Sequence, residues 1–317
     1  MSTSKRDPEA LLRRLEWTVL RRLDGLLHGD YRTLFRGFGL DLADLREYQF
    51  HDDVRRIDWN VTARLQQPYV REYHEDREVS AWFLVDLSGS VSFGSTGRTK
   101  RTVATEFVAV VARLLARHGN AVGAMIYGDR VDTVIQPRTG RRHLLHIVGR
   151  LDQHPEVPVG GGTDLSVLLR SAAESLKRRS LVFVVSDFIS EPGWGRHLLR
   201  LAQRHEVIAL RVHDPLESQL PDLGLITVQD AETGEQLFVD THDPGFRTRF
   251  AQAAERRERE LREQLAQSGV DALELSTGDS LADAILRFAD LRKQRSRLAG
   301  GGGLPGHLSA AGSGALR

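Results

Sequence analysis

Cysteine is absent from the 317 residues. That excludes disulfides, thiolate metal sites and cysteine nucleophiles, and it suits a reducing compartment. An excess of charge is missing too. The 44 Lys and Arg stand against 43 Asp and Glu, a formal net charge of +1, so neither a general nucleic-acid surface nor a membrane surface is indicated. Long apolar runs are also lacking. Apolar runs such as Leu181–Val185 have strand length, far below the roughly 18 apolar residues of a membrane span. Met1–Ala10 is polar and charged, without the apolar core of a secretory signal. The expectation is a cytoplasmic protein with no membrane span and no nucleic-acid partner.

What is present can fold. Hydrophobic residues make up 40% of the chain and charged residues 27%, an ordinary globular balance. Three regions follow: residues 1–78, a helix and a charged extension; residues 79–295, an α/β domain; and residues 296–317, a Gly-rich tail expected to be disordered. In the first region, Asp7 and Pro8 open a helix to about Leu27 with Leu11, Leu12, Leu15, Val19, Leu23 and Leu26 on one face. Regular periodicity then fades until Tyr69–Tyr73, a possible strand.

From Val79 the pattern alternates. Strands are expected at Val79–Val85, Ala121–Tyr127, Val131–Ile135, Leu181–Ser186, Val207–Val212 and Val270–Leu275, with a hairpin at Leu225–Val228 and Gln236–Val239. Helices are expected at Thr99–His118, Thr139–Leu151, Asp164–Lys177, Trp194–Arg204, Phe246–Ala266 and Ser280–Arg292. The alternation predicts a mostly parallel central sheet flanked by helices, a Rossmann-like arrangement.

In such sheets ligands sit beyond the carboxyl ends of the strands. Asp86-Leu87-Ser88-Gly89-Ser90 follows the first strand of the domain, Thr163 follows the glycines at 160–162, and Asp187 follows Leu181–Ser186. Two carboxylates and three hydroxyls are hard oxygen donors, suited to Mg²⁺, Mn²⁺ or Ca²⁺ and not to zinc. The Asp-x-Ser-x-Ser motif alone is ambiguous, because a strand-to-helix turn capped by serines looks the same. Asp164 has a cap's role available and stands outside the ligand set. The glycines before Thr163 lack the Gly-Lys-Ser/Thr of a phosphate loop.

Asp86, Ser88, Ser90, Thr163 and Asp187 together resemble the metal-ion-dependent adhesion site of von Willebrand factor A domains, and the element order over about residues 79–292 resembles that fold, including an antiparallel edge strand near Val131–Ile135. The resemblance implies a bound Mg²⁺ or Mn²⁺. It also implies that the hydroxyls touch the metal, that the aspartates act directly or through water, and that an acidic side chain of a partner completes the coordination. The preceding block is Leu45-Arg46-Glu47-Tyr48, His51-Asp52-Asp53-Val54-Arg55-Arg56-Ile57-Asp58-Trp59 and Ala63-Arg64. It resembles a bacterial family of uncharacterised proteins that carry such a block before a von Willebrand A-like domain. His51 departs from the common form, where Gly is expected. That family is commonly encoded beside MoxR-type AAA+ ATPases.

The block, with Arg46, Asp52, Asp53, Arg55, Arg56, Asp58 and Trp59 as its candidate partner-binding residues, reads either as an internal ion-pair network or as a docking surface for the ATPase. The function expected is a non-enzymatic, metal-dependent interaction module, an adaptor or co-chaperone between a MoxR-type ATPase and a client protein. The alternative is a Mg²⁺-dependent hydrolase or phosphatase with Asp86 as nucleophile. Against it, Ser88 stands where the haloacid-dehalogenase-type loop carries a general acid, and no lysine is evident to stabilise an intermediate.

Overall fold

The computed structural model describes residues 7–23, 44–49, 57, 62, 67–72, 80–157, 161–229 and 233–299. Helix α1 spans Pro8–Leu15 and continues through a π-helical turn, Glu16–Leu20, to Leu23. Its N-cap is Asp7, whose Oδ1 accepts the Glu9 N–H at 3.0 Å, with Pro8 at the first helical position. Strands β1 (Asp44–Glu47) and β2 (Tyr69–Glu72) form an antiparallel pair of their own. Only β2 was expected. Period-2 alternation does not stand out in the charged Asp44-Leu45-Arg46-Glu47 run, so β1 carries little signature of its own.

The central sheet comprises β3 (Ser80–Asp86), β4 (Ala121–Tyr127), β5 (Val131–Arg138), β6 (Leu181–Ser186), β7 (Glu206–His213) and, after the hairpin β8 (Leu225–Gln229) and β9 (Gln236–Asp240), β10 (Asp271–Ser276). Its order is β10-β7-β6-β3-β4-β5. All neighbours are parallel except β5, which runs antiparallel to β4. The α/β architecture and the antiparallel edge strand expected from the sequence are those observed. Strand β5 is three residues longer than expected, because an edge strand tolerates Pro137 where a central strand would lose a ladder hydrogen bond.

The remaining helices are α2 (Lys100–Arg117), α3 (Arg141–Asp152), α4 (Leu165–Ser175), α5 (Trp194–Arg204), α6 (Pro244–Gln267) and α7 (Leu281–Ala299). Helix α4 stops short of the expected Lys177 because Leu176 leaves the helical conformation and turns inward, 2% exposed.

Strand alternation divides the core in two. Phe83, Val85, Ile126, Phe183 and Leu210 face one side, where α1, α2, α3 and α7 pack. Trp82, Leu84, Met125, Val184 and Ala209 face the other, covered by α4, α5 and Leu265 of α6. Phe83 and Phe183 are register partners and stack with centroids 4.9 Å apart, while Phe107 of α2 meets Phe183 edge-on. Among the described residues no helix is long and apolar enough to cross a membrane.

Candidate metal centre

The carboxyl ends of β3 and β6 are adjacent, since Val85 and Val185 are register partners. Asp86 ends β3 and Asp187 follows β6, so the topology brings two carboxylates from distant sequence to one edge. Asp86, Ser88, Ser90, Thr163 and Asp187 are all buried to 2% exposure or less. Asp86 Oδ1 accepts the Ser88 N–H at 2.9 Å, and Asp86 Oδ2 accepts the Ser186 hydroxyl at 2.7 Å. The Ser88 and Ser90 hydroxyls lie 3.3 Å apart as the chain enters the short 3₁₀ turn Gly89–Ser92. The three side chains of the Asp-x-Ser-x-Ser motif therefore gather around one point.

The Thr163 loop is fastened separately. Gly162 takes φ +64, open to glycine at little cost. The Thr163 carbonyl then accepts the Glu191 N–H at 2.8 Å and the Ser190 hydroxyl at 3.0 Å. Asp164 caps α4, its Oδ1 accepting the Ser166 N–H at 2.9 Å, the role available to it from sequence. Beyond Asp187 the chain is strained. Phe188 has φ +58, and its N–H reaches the Ser186 hydroxyl at 2.8 Å. Asp187 Oδ1 accepts the Ile189 N–H at 3.0 Å.

Electrostatics favours a cation here. Burial, and then the neighbouring Asp187, push the Asp86 carboxyl up to about 7, against the opposing hydrogen bonds from Ser186 and Ser88. Among the described residues no group of three or more His, Cys, Asp or Glu side chains is placed to hold a metal. Asp86, Asp187 and the Ser88 and Ser90 hydroxyls, with Thr163 in the loop fastened beside Ser190 and Glu191, make up an oxygen-only donor set. That oxygen-only set fits a hard dication such as Mg²⁺ or Mn²⁺.

Sequence reasoning missed four participants. Ser186 accompanies Asp86, as given above. Tyr127 accepts from both metal loops. Its carbonyl takes the Leu87 N–H at 2.7 Å, and its hydroxyl takes the Asp164 N–H at 3.0 Å. Lys100 and Glu217 form the third contact. The Lys100 ammonium, 1% exposed, lies 2.6 Å from Asp187 Oδ2 and also bonds Glu217 Oε1. The expectation that no lysine stands at this site is thus corrected. Burial pulls Lys100 down, but the charges of Asp187 and Glu217 outweigh it and hold the ammonium above its ordinary value. One signal was legible. Lys100 directly follows the N-cap Thr99, and a cation in a first helical turn opposes the helix dipole.

Of the charged block, Arg46 lies on β1 opposite Val70. Asp52, Asp53, Arg55, Arg56, Asp58 and Trp59 lie outside the described residues, as do residues 300–317 of the tail.

The family described as "Protein of unknown function DUF58" matches residues 44–260. The chain belongs to this family. The DUF58 match takes in β1, β2 and all five candidate metal ligands. The "Uncharacterized protein Rv1480" of Mycobacterium tuberculosis is 39% identical over 297 residues, 93% of each chain. Among solved structures, an aerotolerance-related membrane protein from Bacteroides fragilis matches 68% of this chain and 99% of its own, at TM-score 0.44 and 12% identity. The conserved hypothetical protein BatB from Bacteroides thetaiotaomicron matches 70% and 99%, at TM-score 0.42 and 13% identity.

Proposed function

We propose that this DUF58 protein is a non-enzymatic, metal-dependent interaction module. In this reading Ser88, Ser90 and Thr163 contact Mg²⁺ or Mn²⁺, and Asp86 and Asp187 contact it directly or through water. A partner's carboxylate takes the remaining position. The observation that carries the reading is the convergence of Asp86 and Asp187, each 2% exposed or less, with the paired Ser88 and Ser90 hydroxyls at one sheet edge. Two carboxylates leave a dication electrophilic toward a third. The resemblance of the charged block adds the partner class, a MoxR-type AAA+ ATPase acting on a client protein in the cytoplasm, with this chain as adaptor or co-chaperone.

The test is co-purification with a MoxR-type AAA+ ATPase, in Mg²⁺ and in EDTA, for wild type and Asp86→Ala. Capture that is lost both in EDTA and in Asp86→Ala supports the reading. Calorimetry showing no Mg²⁺ or Mn²⁺ binding, together with unchanged capture by Asp86→Ala, would sink it.

A second reading gains one observation. Lys100 beside Asp187 supplies the lysine that a phosphohydrolase with Asp86 as nucleophile would need. Ser88 still stands where the general acid belongs, and its hydroxyl is a poor acid at neutral pH. Turnover of a generic phosphoester by wild type, abolished in Asp86→Asn, would select this alternative.

A further inference from the structure

We propose that Lys100 is a tethered cation that competes with the divalent metal for Asp187, and that Glu217 is the carboxylate onto which its charge is displaced when metal binds. The inference rests on the metal-centre reading above and goes further, naming the residue that sets how tightly the metal is held.

A lysine this deeply buried persists only when paired. Lys100 sits at the first position of α2, where the helix dipole disfavours a cation. Its local neighbours therefore do not hold it there. Its partners come from loops 87 and 117 residues away. The segment before it is built for the placement. A Cβ at Gly94 would lie 2.0 Å from the Arg98 carbonyl, so only glycine fits, and the Lys100 N–H closes the loop on the Phe93 carbonyl at 2.9 Å.

The consequence falls on Asp187. Its Oδ2 is engaged by the ammonium and its Oδ1 by the Ile189 N–H. A metal drawing on Asp187 must share Oδ1 or displace Lys100. Displacement has a receiver already in place. Glu217 Oε2 accepts the Asp214 N–H at 3.1 Å in a reciprocal cap, with Oε1 on the ammonium. Asp214, fully buried, is itself fixed by the Ser95 N–H and hydroxyl at 2.8 and 2.6 Å and by the Thr277 hydroxyl at 2.6 Å. An ammonium one carboxylate away from a dication repels it, and in the weakly screened interior this weakens binding by at least about tenfold.

The experiment titrates the metal-free full chain with Mn²⁺ by calorimetry, for wild type, Lys100→Met and Glu217→Gln, and measures the Mn²⁺-induced rise in Tm for each. Lys100→Met is expected to bind Mn²⁺ about tenfold tighter or more, with a larger rise in Tm. Uptake confined to that variant is the limiting case of the same result. Glu217→Gln leaves the ammonium's charge on Asp187 alone and is expected to bind about tenfold more weakly. A lysine that merely held the fold would give weaker binding in Lys100→Met and unchanged binding in Glu217→Gln, whose amide oxygen can still accept from the ammonium. Binding by Lys100→Met that is equal to or weaker than wild type, or by Glu217→Gln that is equal or tighter, overturns the proposal. Glu217 is partly exposed, so its variant decides the matter if Lys100→Met does not fold. No uptake by any of the three chains removes the metal centre itself, and this proposal with it. Uptake by wild type with the wrong direction in the variants removes the proposal alone.

Discussion

The Tyr127 hydroxyl accepts the Asp164 backbone N–H at 3.0 Å, one residue after Thr163. Because the Tyr127 carbonyl also accepts the Leu87 N–H, a single residue at the end of β4 ties the serine loop to the threonine loop. Tyr127→Phe keeps the buried ring and the carbonyl and removes the hydroxyl that accepts from the Asp164 N–H, next to Thr163. The expected loss of stability is about 1–2 kcal/mol, for a part-buried N–H left without its partner. Mn²⁺ affinity should fall about three- to tenfold, a shift of roughly 1 kcal/mol. Denaturant titration and calorimetry measure the two effects. Unchanged affinity would mean that Thr163 is placed without help from Tyr127.

Asp86→Asn should make the metal-free protein more stable while abolishing metal binding. The Asp86 carboxyl is raised above its ordinary value of 3.8 to about 7. The folded state therefore holds its proton more tightly than the unfolded chain does. The resulting penalty is absent at acid pH, grows between the two values and is complete above the upper one. In EDTA at pH 8 the asparagine variant should exceed wild type by about 1–3 kcal/mol, a gap that closes toward pH 4. Saturating Mn²⁺ should reverse the order by stabilising wild type alone. A variant less stable than wild type in EDTA at pH 8 would contradict the account.

His205 gives a pH response of opposite sign. It is 4% exposed, and neither ring nitrogen has a hydrogen-bond partner among the described residues. Burial, and then Arg204 and Arg179, hold it below its ordinary 6.5. A histidine lowered in the folded state contributes in full above its unfolded value and costs stability as pH falls below it. His205→Leu should flatten the loss between pH 6.5 and 5 by up to about 1 kcal/mol per pH unit. His197 and His213 are lowered too and should leave a residual slope. Equal slopes in the two proteins, read from denaturant melts across that range, would clear His205 of the effect.

Glu106 joins two cations. Its side chain, 8% exposed, is bonded by Arg14 of α1 and by Arg98 from the loop before α2. Glu106→Gln should cost about 1–3 kcal/mol, because it removes a charge that two guanidinium groups converge on. Hydrogen exchange should speed up in α1 more than in β3 or β6. Uniform change across the chain would show instead a general loss of core stability.

The central sheet was legible because its strands are apolar runs bounded by glycine and polar turns, and its helices carry clear apolar faces. The five candidate ligands were legible for a related reason. Each falls at or just after a strand or loop whose position the alternation fixed. What escaped reading was pairing across long separations. Nothing near Lys100 points to Asp187 or Glu217, and nothing near Tyr127 points to Asp164. These contacts exist only once the strand order is known. Strand β1 escaped because charge obscures the period-2 pattern. The ends of β5 and α4 moved by a few residues under tertiary influence, the edge position of Pro137 and the inward turn of Leu176.

Helix α1 has a practical consequence. Leu11, Leu12, Leu15, Val19, Leu20 and Leu23 are buried in the same core as α2, α3 and α7. A shortened chain beginning near Val79, where the sequence pattern invites a cut, would lose this cover and turn part of its interior outward. Such a fragment would cling to itself and to other greasy surfaces. Pull-downs made with it would report stickiness in place of recognition. Interaction studies on this protein therefore call for the amino-terminal helix to be kept.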